Sequence, residues 1–142
     1  MFVTVDAVVR VADEVLLIRR GRAPGKGLLA VPGGFIEQRE TAYQSAVREL
    51  EEETGLRLLP SDMEHACKAM RVFDHPDRSQ RGRVITHAFH FDLGERRRPE
   101  IAGSDDAAEA RWVPIAELPS LEEQFHDDHF HILDAFLGIS PA

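Results

Sequence analysis

Cysteine is nearly absent. Cys67 is the single one in 142 residues, which excludes an intrachain disulfide and a cysteine-rich zinc site; it reads as a half-buried strand residue. No apolar run approaches the length that spans a bilayer. The amino end, FVTVDAVVRV, alternates as a strand does and lacks a basic region followed by an apolar core, so it is no signal peptide. Repeats, low-complexity tracts and a linker that would split the chain are missing too. Positive charge is in deficit, with 17 Lys and Arg against 25 Asp and Glu, a net charge of −8. Such a chain repels a phosphate backbone and is unsuited to coating nucleic acid. These absences predict a cytoplasmic protein with no nucleic-acid and no membrane partner. A hydrophobic content of 43% in 142 residues suits one domain, residues 1–142, with a real core.

What is present reads as alternating strands and helices. Phe2–Arg10 and Glu14–Arg20 predict two strands joined by a short Ala-Asp turn. A glycine-rich stretch, Arg22–Gly27, leads to the apolar segment Leu28–Val31, and Pro32-Gly33-Gly34 predicts a tight bend. Thr41 with Gln44 forms a capping-box pattern, so a helix should begin near Ala42, with Tyr43, Ala46, Val47 and Leu50 as its apolar stripe and Gly55 as its stop. Leu56–Leu59, Glu64–Phe73, Val84–Leu93 and Glu109–Val113 predict further strands, with a polar loop over Asp74–Gly82. Leu121–Leu137 carries a helical pattern. The mixture predicts an α/β sandwich around a mixed sheet.

The chemistry concentrates in GFIEQRETAYQSAVRELEEETGL, Gly34–Leu56. Glu49, Glu52 and Glu53 stand at i, i+3 and i+4, so on a helix they share one face. Their mutual repulsion weakens the helix unless a cation sits among them, and hard divalent cations such as Mg²⁺ take clustered carboxylate oxygens. A bound cation also inverts the local charge, so that an acidic chain can hold a phosphate substrate. The plainer alternative is a solvated acidic face.

The order G-x5-E-x7-R-E-L-x-E-E-x-G-L resembles the Nudix box at every defining position. The resemblance implies the Nudix α/β/α sandwich, with a central mixed sheet and a loop-helix-loop that carries the site. It also implies hydrolysis of a nucleoside diphosphate derivative with Mg²⁺, for which Mn²⁺ substitutes. Glu52 and Glu53 would coordinate metal, both facing solvent; the Gly33 carbonyl would add an oxygen; and Glu49 would be a ligand or the base. Arg48 would orient these carboxylates, and Glu40 would reach the metal through water. Members of the family complete the site with an acid from a further loop. Here GSDDAAEARWVP supplies Asp105, Asp106 and Glu109, and Asp106, six residues before Trp112, is the candidate general base.

A second stretch narrows the substrate. RVFDHPDRSQRGRVITHAFHF, Arg71–Phe91, resembles the Nudix domain that some bacterial bifunctional proteins carry beside a nicotinamide mononucleotide adenylyltransferase. It also resembles the ADP-ribose-binding domain of related NAD regulators. The similarity extends through GRAPGKGLLAVPGGF, Gly103–Trp112 and the tail LEEQFHDDHFHILDAF, and it implies ADP-ribose, cleaved to AMP and ribose 5-phosphate. On that reading Arg78, Arg81 and Arg83 would grip a diphosphate or ribose, Phe73 would stack on adenine and Asp74 would accept a ribose hydroxyl. Arg19, Arg20 and Lys26 would add phosphate contacts. NADH, a sugar nucleotide or a damaged nucleotide are alternative substrates, and a non-catalytic ADP-ribose sensor is a rival from another class. The intact box argues against the sensor. A homodimer is common among similar enzymes. His126, His129 and His131 lack a metal-ligand pattern and read as a polar helix face, with Phe125, Phe130, Leu133 and Leu137 as core.

Overall fold

A computed structural model describes residues 1–102 and 107–140. Alternation of Val and small residues builds β1 (Phe2–Val11), and Ala12, in the left-handed region at φ 52°, turns the chain into β2 (Glu14–Arg20). Two short strands follow, β3 (Leu29–Ala30) and β4 (Gly33–Phe35), then α1 (Ala42–Thr54) and α2 (Pro60–Ala66). The rest is β5 (Cys67–Phe73), β6 (Val84–Asp92), β7 (Ala107–Pro114), a 3₁₀ segment (Ile115–Gln124) and α3 (His129–Leu137). The strands form one seven-stranded sheet in the order β3-β2-β1-β6-β5, with β4 on β1 and β7 on β2. The β1–β6 pair is parallel and the others are antiparallel, so the sheet is mixed as expected.

A fork in that sheet positions the site. β1 and β2 pair only at Arg10↔Val15 and Val11↔Glu14, beside their turn. Beyond it they part, and the β3–β4 segment wedges between them: Ile18 pairs with Ala30, while Thr4, Val5 and Asp6 pair with Phe35, Gly34 and Gly33. The expected bend therefore lies at Val31–Pro32, and the two glycines continue as a strand.

Each face of the sheet is covered. Tyr43, Ala46, Val47 and Leu50 of α1 pack with Val5, Ala7, Val9, Val11, Phe89 and Phe91. On the other face Val8, Val15, Leu17 and Ala88 meet Leu118, Phe125, Phe130, Ile132 and Leu133 of the 3₁₀ segment and α3. Burying a side chain such as Leu50 contributes about 1.5–3 kcal/mol, enough to hold α1 by one face while the opposite face carries acids. Cys67 opens β5 half-buried, as expected.

Three elements differ from expectation. Leu56–Leu59 is not a strand, and Glu64–Ala66 belongs to α2. Pro60 opens that helix, where its fixed φ suits the first turn, and Met63 and Ala66 bury its inner side. Nor is Leu121–Leu137 one helix. The chain breaks at Phe125–Asp128, where the His126 N–H donates to the Leu29 carbonyl at 2.8 Å and Asp127 turns at φ 44°. Pairing to β3 outcompetes continuation of the helix there.

Candidate functional site

The Thr41 hydroxyl caps α1 by accepting from the Gln44 N–H, and the Gln44 side chain accepts from the Thr41 N–H in return. At the other end Gly55 takes φ 72° and donates to the Glu51 carbonyl at 2.8 Å. Between these caps the acids are organised around one cation. Arg48 donates to Glu40 at 2.9 Å, to Glu49 at 2.8 Å and to Glu52 at 3.2 Å. Burial works against the Arg48 charge, but Glu40 and Glu49 outweigh it and hold its pKa above the ordinary value. The same guanidinium bond, with a second from Ser45, holds Glu40 below the usual carboxylate range. Glu40 thus belongs to the scaffold that aims Glu49, with Ser45 as a partner that the sequence reading passed over.

Glu53 and Glu52 differ, contrary to the expectation that both face solvent. Glu53 is buried and accepts from the Gly33 N–H at 2.7 Å, whereas Glu52 is exposed on the rim. Gly34 backs directly onto Glu49; a Cβ there would stand 2.5 Å from the carboxylate carbon. Glu49, Glu53 and the Gly33-Gly34 backbone form one wall of a cavity of about 370 Å³, with Arg20, Arg22 and Arg81 also lining it. The donors are hard oxygens, the kind that Mg²⁺ and Mn²⁺ take. Among the described residues no three His, Cys, Asp or Glu side chains converge to enclose an ion. Arg48 draws Glu49 and Glu52 toward itself, and a site open to substrate has no closed ligand cage.

A smaller polar cavity of about 70 Å³ adjoins the first and shares Arg20, Gly33, Gly34, Glu53 and Arg81 with it. It lies in the fork between β1 and β2. Thr4 and Asp6 point into it from β1, Ile18 and Arg20 from β2, and His126 and His129 from the opposite side. Asp6 is buried and accepts from the Thr86 hydroxyl at 3.2 Å; Thr4 and Thr86 are linked at 2.7 Å. Burial pushes the Asp6 carboxyl up to about 7, against the opposing pull of Arg78. His129 Nδ1 accepts from the Val31 N–H at 3.1 Å, which leaves the proton on Nε2, 4.0 Å from Asp6. Burial lowers both His126 and His129 to about 4, so both are neutral near pH 7. These histidines are therefore not a solvated helix face, as the sequence suggested; they close a polar pocket.

A model of the NUDIX domain matches residues 2–136. The chain belongs to the Nudix family. It is 39% identical over 119 residues to an ADP-ribose pyrophosphatase of Methanocaldococcus jannaschii, a match that covers 84% of this chain and 65% of that protein. A bifunctional NMN adenylyltransferase/ADP ribose pyrophosphatase from Francisella tularensis, solved with AMP and a manganese ion, superposes with a TM-score of 0.92 at 40% identity. That match covers 96% of this chain and 41% of the other. A mutT/nudix family protein from Listeria innocua is 34% identical with a TM-score of 0.70, over 97% of this chain and 93% of that one. This chain thus spans less than two thirds of the first two relatives. No described helix is long and apolar enough to cross a membrane.

Around the Nudix helix the remaining sequence-predicted residues fall into two groups. Arg81 lines both cavities. Arg78 lines the polar cavity, but its fork is taken by Asp128 through bonds of 2.8 and 2.9 Å; it braces the loop and is not open to grip a diphosphate. Phe73 is corrected outright. It is buried in the core against Phe136 and His131, with no face left for adenine. Asp74 and Arg83 are exposed and line neither cavity. Arg19 donates to the Gly27 carbonyl at 2.7 Å and pairs with Glu109; Arg20, its neighbour on the opposite strand face, donates to the Pro24 carbonyl at 2.7 Å and lines the cavity. Glu109 is held by Arg19 and Arg111. Asp105 and Asp106 lie outside the described residues. Sequence reading passed over Asp6 and Thr86. The signal for Asp6 was a lone acid inside the apolar strand VTVDAVV.

Proposed function

We propose that this Nudix chain hydrolyses ADP-ribose to AMP and ribose 5-phosphate, with Mg²⁺ as the working ion and Mn²⁺ as a substitute. The observation that carries the reading is one cavity with Glu49, Glu53 and the Gly33-Gly34 backbone on one side and Arg20 and Arg81 beside them. A diphosphate is the group such a cavity suits, since anionic oxygens need cations and the acids need an ion between themselves and the substrate. A divalent ion, when bound, neutralises charge on the phosphate oxygens.

Each residue then has a separate task. Glu49, Glu52 and Glu53 hold the ion, with the Gly33 carbonyl as a further oxygen. Arg48 keeps Glu49 and Glu52 aimed through its 2.8 and 3.2 Å bonds. Arg20 and Arg81 bind the diphosphate. Asp106 takes the proton of the attacking water, whose oxygen bonds to phosphorus as the P–O bond to the departing phosphate breaks. The working protein is a small-molecule enzyme, and a homodimer is compatible with it.

The test is incubation of the purified protein with ADP-ribose and Mg²⁺, with AMP and ribose 5-phosphate quantified. Excess chelator should stop turnover, and Mg²⁺ or Mn²⁺ should restore it. Glu53→Gln should cut turnover about a hundredfold or more, whereas Glu51→Gln, on an exposed carboxylate 3.9 Å from Arg57, should change little. Product formation in full chelation, or none from ADP-ribose with metal present, overturns the proposal.

A further inference from the structure

Arg81 reaches the site without a carboxylate partner. It lines both cavities, yet among the described residues no ion pair and no side-chain hydrogen bond holds its guanidinium. Arg19, Arg48 and Arg78 are each paired with carboxylates. Glu49 and Glu53 line the same cavity as Arg81, and an unrestrained cation there would fold onto them. Two aromatic rings hold it instead. The Arg81 guanidinium lies 5.3 Å from the Phe35 ring centroid and 5.9 Å from that of Phe2. The two rings are 5.7 Å apart with planes inclined at 55°. Phe2 is 41% and Phe35 47% exposed, so the core does not require them.

Tertiary structure brings the three side chains together. Thr4 pairs with Phe35, and Phe2 stands two residues before Thr4 on the same face of β1. The Phe2 N–H donates to the Arg83 carbonyl at 2.8 Å, which moors the end of the loop to β1. The Arg78–Asp128 pair moors its other end. Between these moorings the Arg81 N–H donates to the Ser79 hydroxyl at 3.2 Å, and Gly82 turns the chain at φ 111°. The backbone is thus fixed on either side, and the rings fix the side chain.

We propose that Phe2 and Phe35 are positioning residues that hold Arg81 charged and aimed at the diphosphate of the substrate. An aromatic face attracts a cation through its quadrupole and cancels none of its net charge. A carboxylate in the same place would neutralise the guanidinium and oppose the incoming anion. The rings also keep this cation from competing with a divalent ion for Glu49 and Glu53. A free arginine loses rotamer freedom when it binds an anion, and one already held loses less. The inference rests on the reading above that Arg81 binds the diphosphate.

The experiment is calorimetric binding of inorganic pyrophosphate and of ADP, each with Mg²⁺. The proteins are the wild type, Phe35→Leu, Phe2→Leu, Phe35→Tyr, Arg81→Ala and the double variant of Phe35→Leu with Arg81→Ala. Leucine keeps apolar bulk without a π face, and pyrophosphate has no base to stack. Phe35→Leu should weaken pyrophosphate about three- to tenfold, Phe2→Leu should act in the same direction, and Phe35→Tyr should stay near the wild type. On the Arg81→Ala background Phe35→Leu should change affinity by less than about twofold, since the rings act through the guanidinium. With ADP-ribose as substrate, Phe35→Leu should raise KM more than it lowers kcat. Matching thermal unfolding confirms that the fold is retained; if Phe35→Leu does not fold, Phe2→Leu carries the same cycle. Unchanged pyrophosphate binding in both leucine variants, or an equal loss with and without Arg81, overturns the clamp. Weakening of ADP alone overturns it too, because the rings then contact the base. So does a wild type that does not bind pyrophosphate. Should the wild type bind pyrophosphate through these three residues yet fail to cleave ADP-ribose, the clamp stands and the activity assignment falls.

Discussion

Arg78 grips Asp128 with two nitrogens, Nε at 2.9 Å and Nη2 at 2.8 Å, and so ties the loop after β5 to the start of α3. The Arg78 side chain is only 5% exposed. The pair joins two segments that are far apart in sequence and both line the polar cavity, one through Ser79 and Arg81, the other through His126, Asp127 and His129.

Removing one partner strands the other charge in the interior. Asp128→Ala should therefore destabilise the fold by about 3–5 kcal/mol, read as a lower urea midpoint. A charge-exchanged double variant, Arg78→Asp with Asp128→Arg, should recover part of that loss. Near-wild-type stability of Asp128→Ala would show that the pair is not structural.

Arg20 and Arg19 offer a matched comparison on adjacent positions of one strand. Each bonds a loop carbonyl, Arg20 that of Pro24 and Arg19 that of Gly27, but Arg20 lines both cavities whereas Arg19 lines neither and pairs with Glu109. Loss of a guanidinium–anion contact is worth about 1.5–3 kcal/mol, so Arg20→Ala should lower kcat/KM for ADP-ribose roughly ten- to a hundredfold. The loss should fall mainly on KM, the mark of ground-state binding. Arg19→Ala should remain within about threefold of the wild type. Equal effects of the two would remove Arg20 from the binding surface.

The buried imidazole of His129 makes stability depend on pH. Its folded pKa, about 4, lies below the ordinary 6.5 because burial disfavours the charge. Between these values the unfolded chain binds the proton first, so stability is retained above about pH 6.5 and lost as pH falls toward 4. Asp6, raised from 3.8 to about 7 by burial, acts in the opposite sense and loses stability as pH rises through that window. His129→Gln keeps an acceptor for the Val31 N–H but cannot titrate. Relative to this variant the wild type should lose on the order of 2 kcal/mol between pH 7 and pH 5, measured by urea denaturation at each pH. A constant difference between the two proteins would mean that His129 is not held neutral.

Local signals were legible where one element contained all its own causes. Thr41, Gln44 and Gly55 marked the helix ends because a cap is completed within a few residues. Glu49 and Glu53 were legible by spacing, since helical periodicity alone places them on one face. Pro60 at the start of α2 was a local signal too, obscured by the apolar run Leu56–Leu59 before it.

The sequence alone determined the family, the Nudix helix with its acids, and most strands, because repeat spacing and capping act over short range. Tertiary structure decided which members of each set work together. The fork between β1 and β2 gathered Asp6, Arg20 and the His126–His129 pair from three places in the chain, and no local pattern encodes such a meeting. Burial set Glu53 in the cavity wall and left Glu52 at its exposed rim, and strand alternation put Arg20 and Arg19 on opposite strand faces. Phe73 went to the core while Phe35 stayed at the mouth, because the hydrophobic effect selects rings by the faces that packing leaves to water, not by their type.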